Sequence, residues 1–205
     1  MNDQSDTRDQ ILTAARARIT HYGYAKTTMA EIASDCAMSV GNIYRFFGSK
    51  LDIAEALARK ANLVLHQKSA ALVRGEGTAP EKLHAIHQTA LKETFRKLDH
   101  EPKLVEVADI LSRQRPDYTD EELAQERVFI AQILEQGVNE GHFAPIENPA
   151  WLAGVLQSAT MKFRFPQMFS PLPLAKLEAE LRGILDIVVS GLAVPDNTSP
   201  DTENE

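Results

Sequence analysis

Apolar residues recur at intervals of three and four along nearly the whole chain, and no run of alternating β-branched residues bounded by turn signals competes with them. The pattern predicts an all-α fold of about nine helices. Thr7 and Gln10 read as a capping box that opens a first helix, with Ile11, Ala15 and Ile19 on one face and an end near Gly23. Thr28 and Glu31 form a second box, opening a short helix that turns Ile32 and Ala33 inward. Ser39 caps a third, with Ile43 and Phe46 or Phe47 pointing back to the others, and Ser49 with Asp52 starts a long fourth helix. These short elements make a three-helix head, residues 1–50.

The fourth helix carries the stripe Ala54, Leu57, Ala58, Ala61 and Leu65 as far as the turn around Gly75, Gly77 and Pro80, and begins a larger helical body, residues 51–194. A helix over 80–98 follows, then one bearing Leu104, Val107, Ala108 and Leu111 that Pro116 stops. Thr119 and Glu122 read as a capping box for a helix carrying Ile130, Ile133, Leu134 and Val138 up to Gly141. Asn148 and Pro149 start another, reaching Arg164 or Phe165. The last, over 174–192, has a broad apolar stripe of Leu174, Leu177, Leu181, Ile184, Leu185, Val188 and Leu192. Residues 195–205 are acidic, contain serine and proline and have nothing to bury, and a disordered tail is expected.

Composition narrows the function. With 43% hydrophobic and 25% charged residues the chain suits a soluble globular protein. The start MNDQSDTRDQ has neither the basic region nor the apolar run of a signal peptide, and no stretch is long and apolar enough to span a bilayer, so the cytosol is expected. A single cysteine, Cys36, excludes an internal disulfide framework. The net charge of -7 argues against a nucleic-acid partner until the chain is divided. From Arg8 to Lys50, six basic residues face three acidic ones, 6 - 3 = +3, so a mildly basic head sits on an acidic body.

Within that head the segment from Thr27 to Lys50 has the organisation of a helix-turn-helix: a capped helix, a tight turn at Cys36-Ala37-Met38, and a second capped helix. A recognition helix entering a major groove about 12 Å wide needs small leading residues, and Val40, Gly41 and Asn42 are small. Asn42 suits adenine, Arg45 guanine or phosphate, and Val40 a thymine methyl. Ser39 sits at the front of the same helix, Tyr44 and Lys50 have the reach for phosphate, and Thr28 opens a helix N-terminus toward the same anionic backbone. Double-stranded operator DNA is the expected partner.

These residues resemble a known family. Gly23-Tyr24, Thr27-Thr28, Ile32-Ala33, Met38-Ser39, Gly41-Asn42-Ile43-Tyr44, Phe47 and Ser49-Lys50 look like the N-terminal signature of TetR-family transcriptional regulators, over about Arg8 to Leu57. The resemblance implies that Ser39 to Arg45 form the recognition helix and that Tyr44 and Lys50 meet phosphates. One departure is Ala37, where glycine is usual: alanine at a left-handed turn costs about 1 kcal/mol. The resemblance also implies a body that binds a small effector and a homodimer built by the last two helices. Leu177, Leu181, Ile184, Leu185 and Val188 are the candidate dimer residues, with Gly183 admitting a close partner helix. The alternative is that the last two helices only complete an intrachain core.

Other features weigh less. The soft, large side chains Trp151, Met161, Phe163, Phe165, Met168 and Phe169 suit an apolar effector pocket or plain core packing, with Leu91, Phe95, Phe129 and Ile133 as further lining residues. Arg164 could pair with an anionic ligand group or with a surface carboxylate. His84 and His87 share a helix face, but two ligands do not make a metal site. Cys36 reads as a small buried residue in preference to a redox sensor. The chain has no G-x-S-x-G, phosphate-cradling glycine loop, H-E-x-x-H or C-x-x-C, so neither catalytic residues nor a cofactor is expected. The alternatives to a ligand-released repressor are a helical interaction protein with a degenerate head and, last, an enzyme.

Overall fold

A computed structural model describes residues 3–165 and 172–195 of the chain. The described residues form ten helices and no strand beyond an isolated bridge from Phe143 to Ala193. The expected tail, with Met168 and Phe169 of the aromatic cluster, lies outside them.

The head is α1 (Asp3–Tyr22), α2 (Met29–Asp35) and α3 (Val40–Tyr44). Helix α1 starts a turn earlier than the Thr7 capping box predicts, and Gln10 reaches across to donate to Cys36 O at 3.3 Å. The other caps form as expected. The Thr28 and Glu31 side chains satisfy each other's backbone amides, and Ser39 and Ser49 accept from the amides of Asn42 and Asp52. Ile11, Ala15, Ile32, Ala33, Ile43 and Phe47 are buried together, joined by Ile53 from the start of α4 (Lys50–Arg74). The core of the head therefore includes the first turn of α4 and does not stop at residue 50.

The body comprises α5 (Ala79–His100), α6 (Pro102–Gln114), α7 (Pro116–Asn139), α8 (Pro149–Ala159), the single turn α9 (Met161–Arg164) and α10 (Leu174–Leu192). Two boundaries differ from expectation. Pro116 ends α6 but also opens α7 in its first turn, where its missing N–H costs nothing, so Thr119 lies inside the helix and caps nothing. The helix that Asn148 caps breaks at Thr160, whose hydroxyl bonds back to Leu156 O at 2.7 Å.

One core layer joins α5, α7 and α8 through Leu83, Ile86, Ile130, Ile133, Leu134 and Leu156. Phe143 plugs its end, lying so close to Gly137 that a Cβ there would sit 2.1 Å from the ring. A second layer joins Leu91 of α5 and Phe163 of α9 to Leu177, Leu181 and Leu185 of α10. These three leucines are therefore intrachain core, which corrects their assignment to a dimer interface.

Head and body meet at a seam. Ile19 and Ala54 pack against Val107, Leu111 and Tyr118. Charged side chains surround them: Arg16 pairs with Glu101 and Arg115 with Asp52, Lys103 donates to His21 O, and on the body side Arg59 of α4 pairs with Glu121 of α7 at 2.9 Å. None of the described helices is long and apolar enough to cross a membrane.

Candidate nucleic-acid interface

The turn between α2 and α3 sets the angle of the recognition segment. Ala37 adopts φ 53°, the only positive φ at a non-glycine residue among those described, and its amide bonds to Ser34 O while that of Met38 bonds to Ala33 O. The turn expected for glycine thus forms with alanine in place, at the cost of the strained φ. Cys36 closes it from beneath, buried, with burial pushing its thiol pKa up. That fits a packing residue, since a redox-active thiol needs its pKa lowered.

From this turn α3 projects with Ile43 at 0% exposure on its inner face and Val40, Gly41, Tyr44 and Arg45 exposed on its outer one. Asn42 is half-buried at the flank, and open space surrounds the Gly41 Cα. Ser39 and Thr28 are exposed and spend their hydroxyls on capping. Two arginines hold the arrangement from behind. Arg8 donates to Phe46 O at 3.1 Å and lies over the Phe47 ring, while Arg18 grips Asp35 with bonds of 2.6 and 2.8 Å and approaches Glu31. Neither role is legible along the chain, because the partners lie 38 and 17 residues away.

Lys50 departs most from expectation. Its ammonium donates to Tyr24 O and Thr27 O, each at 2.7 Å, and sits over the Tyr24 ring, so it clamps the loop between α1 and α2 and does not reach freely outward. Burial pulls its pKa down. An ammonium has three donors, which leaves one for an incoming anion.

The residues expected to line an effector pocket do not converge. Leu91 borders an internal gap between α5, α7 and the α8–α10 region, and Phe95 packs on the same layer. Ile133 is sealed in the other layer, and Phe129 faces an open groove of about 600 Å³ between α4 and α7. Met161 lines neither space, and Trp151 is 67% exposed, which removes it from any interior pocket. Arg164 pairs with Glu126 at 3.2 Å. His84 contacts Asp186 and His87 is buried apart from it.

A capped, anchored helix presents Val40, Gly41, Tyr44 and Arg45 outward, and sequence comparison names its kind. The chain matches the description "Bacterial regulatory proteins, tetR family" over residues 11–57 and "Tetracyclin repressor-like, C-terminal domain" over 79–185. It belongs to the TetR family. The protein is a helix-turn-helix, DNA-binding transcriptional regulator. Among its relatives, the transcriptional repressor KstR2 of Mycobacterium tuberculosis is 25% identical over 143 residues, 67% of this chain and 70% of that one. The fold matches a TetR-family regulator from Pectobacterium atrosepticum with TM-score 0.75 and 18% identity, covering 95% of this chain and 98% of that one. It also matches SmeT, the repressor of a Stenotrophomonas maltophilia multidrug efflux pump, solved as a complex with triclosan: TM-score 0.68, 18% identity, 98% of both chains.

Proposed function

We propose that two copies of this TetR-family regulator lay their Val40–Arg45 segments in successive major grooves of a palindromic operator, and that an effector held in the helical body releases them. The observation that carries the reading is α3 itself, anchored by Ile43 and Phe47, oriented by Arg8 and the Ala37 turn, and free of bulk at its leading outward positions. Asn42 and Arg45 supply base-edge hydrogen bonds, and Val40 meets a thymine methyl. Tyr44 and the remaining donor of Lys50 take phosphates, as do the amides behind Thr28. The two segments must lie about 34 Å apart, one turn of B-DNA.

A dimer sets that spacing. With the leucine face of α10 turned inward, the residues left for a partner are on other faces: Ile187, 75% exposed, beside Gly183 and Gly191 on α10, and Trp151 with Val155 on α8. Ile184 and Val188 are half-buried at the edge of the same helix and border this surface. Apolar side chains of this size standing in water at helical spacing call for a cover, and a second copy supplies one. SmeT's triclosan complex makes a small-molecule effector for this body a natural reading. Because DNA and effector favour different head spacings, each weakens the other's binding by reciprocal coupling. The reading is of a binding protein, not an enzyme.

The test is fluorescence anisotropy on DNA from upstream of the protein's own gene against scrambled DNA, over a salt series. Salt-dependent binding with a clear preference for the upstream DNA supports the reading, and equal binding to both rejects it. Sedimentation tests the dimer: Ile187→Glu with Trp151→Glu should give a monomer at micromolar concentration, and a wild-type monomer there removes the dimer.

A further inference from the structure

The gap beside Leu91 has a volume of about 20 Å³ and is lined by His87, whose buried Nε2 has no hydrogen-bond partner among the described residues. His87, on α5, is 8% exposed. Its Nδ1 lies 2.9 Å from Leu83 O, an atom that only accepts, so Nδ1 carries the hydrogen and Nε2 is left with a bare lone pair. Nε2 is buried and has no hydrogen-bond partner. The other polar groups around the gap are already engaged. Gln157 donates to Glu126 at 2.9 Å and to Leu123 O at 3.1 Å and accepts from Arg127, Thr160 donates to Leu156 O, and Arg164 is shared between Glu126 and Thr94. The remaining wall is apolar: Ala90, Leu91, Ile130, Phe163 and Leu181.

We infer that the effector of this regulator is an uncharged, hydroxyl-bearing apolar molecule, a phenol or an alcohol, whose hydroxyl donates to His87 Nε2 while its hydrocarbon body lies against Leu91, Ile130, Phe163 and Leu181. The inference rests on the reading of the body as an effector-binding domain and adds the chemistry of the ligand. A neutral imidazole with its Nδ1 hydrogen committed can only accept, so the complementary group must be a donor. A carboxylic acid is disfavoured because the Glu126 carboxylate borders the same space and already holds Arg164, the one cation lining the gap among the described residues. The gap itself admits one hydroxyl-sized group. The hydrocarbon body therefore enters only as α10 and α9 part from α5 at Leu181 and Phe163, which makes binding inseparable from a change of shape in the body.

The test uses the full-length protein, its histidines isotope-labelled for imidazole NMR, titrated with para-ethylphenol, ethylbenzene and benzoate, with calorimetry in parallel. The expected result is that para-ethylphenol binds about tenfold tighter than ethylbenzene, the worth of one buried hydrogen bond. It should also move the Nε2 resonance of a single histidine, the one lost in His87→Asn. That variant keeps an amide donor for Leu83 O and leaves no acceptor at the Nε2 position, its own carbonyl oxygen lying nearer the backbone, and it should bind para-ethylphenol and ethylbenzene alike. If the variant does not fold, the wild-type affinity ratio and the imidazole shift decide. Equal affinity for the two compounds, tighter binding of benzoate, an unmoved imidazole, or no binding of para-ethylphenol up to about 10 mM overturns the inference. Operator binding is measured separately without ligand. Its loss together with an intact His87 response would remove the regulator reading and leave the site, whereas intact operator binding without that response removes the site alone.

Discussion

The head and the body solve the same packing problem with different means. In the head, short helices are fixed by local devices: the Thr28 and Glu31 box, the Ser39 and Ser49 caps, and the Ala37 turn. One small core then locks them. In the body, long helices are sorted into layers by side chains far apart in sequence, and polar groups such as His87, Gln157 and Arg164 are enclosed between those layers. A reading head needs one rigid shape, whereas a domain that responds to an effector needs two shapes of similar energy.

The contrast can be broken most severely in the head. Phe47→Ala removes a side chain that is 2% exposed and that Arg8 covers, and it should cost about 3 to 5 kcal/mol. Operator binding should vanish while circular dichroism retains most of the helix content, which resides in the body. Loss of all helicity would show instead that head and body fold as one unit. In the body, Gly137→Ala drives a Cβ into the Phe143 ring and should destabilise by about 2 kcal/mol in urea titration, despite alanine's better helix propensity. An unchanged midpoint would mean that Phe143 can move aside.

Acid should act on the body first. Burial holds His87 below the ordinary histidine pKa, so the unfolded chain binds a proton that the folded protein refuses. The stability this involves is present above the unfolded value, about 6.5, and is lost as pH falls below it. Glu126 opposes the shift and His84 adds to it. The thermal midpoint should therefore drop between about pH 6.5 and 5, and His87→Leu should flatten that drop; an identical drop in the variant would assign it to other groups. The smallest effect expected is a gain: Ala37→Gly relieves the positive φ and should stabilise the head by about 1 kcal/mol. A loss would mean that glycine's freedom in the unfolded chain outweighs the relief.

Local chemistry was legible in the sequence and tertiary choice was not. Thr28, Ser39, Ser49 and Asn148 were readable as caps because a cap and its partner lie three residues apart. Thr7 and Thr119 carry the same signal but lie inside their helices, because α1 and α7 each begin a turn earlier, α7 at a proline suited to that place. On α10 the period of three and four correctly marks an apolar stripe but does not say what covers it. Leu91 and Phe163, from α5 and α9, cover it, and so leave Ile187 outside. His87 was visible only as one of two nearby histidines, since its burial depends on α7 and α8 closing over it. Lys50 had the right position and charge, but its clamp on Tyr24 and Thr27 depends on a loop more than twenty residues back.

The seam of ion pairs between head and body has a bearing on how the operator complex is counted. Arg16 to Glu101, Lys103 to the His21 carbonyl and Arg115 to Asp52 cross it at partly exposed positions, where mobile ions compete for the charged partners. Electrolyte that displaces the protein from phosphate also loosens the hinge on which the two heads are held in register. The steepness of affinity against ion concentration in this protein should thus exceed the number of phosphates it touches, the surplus measuring how tightly the hinge is drawn.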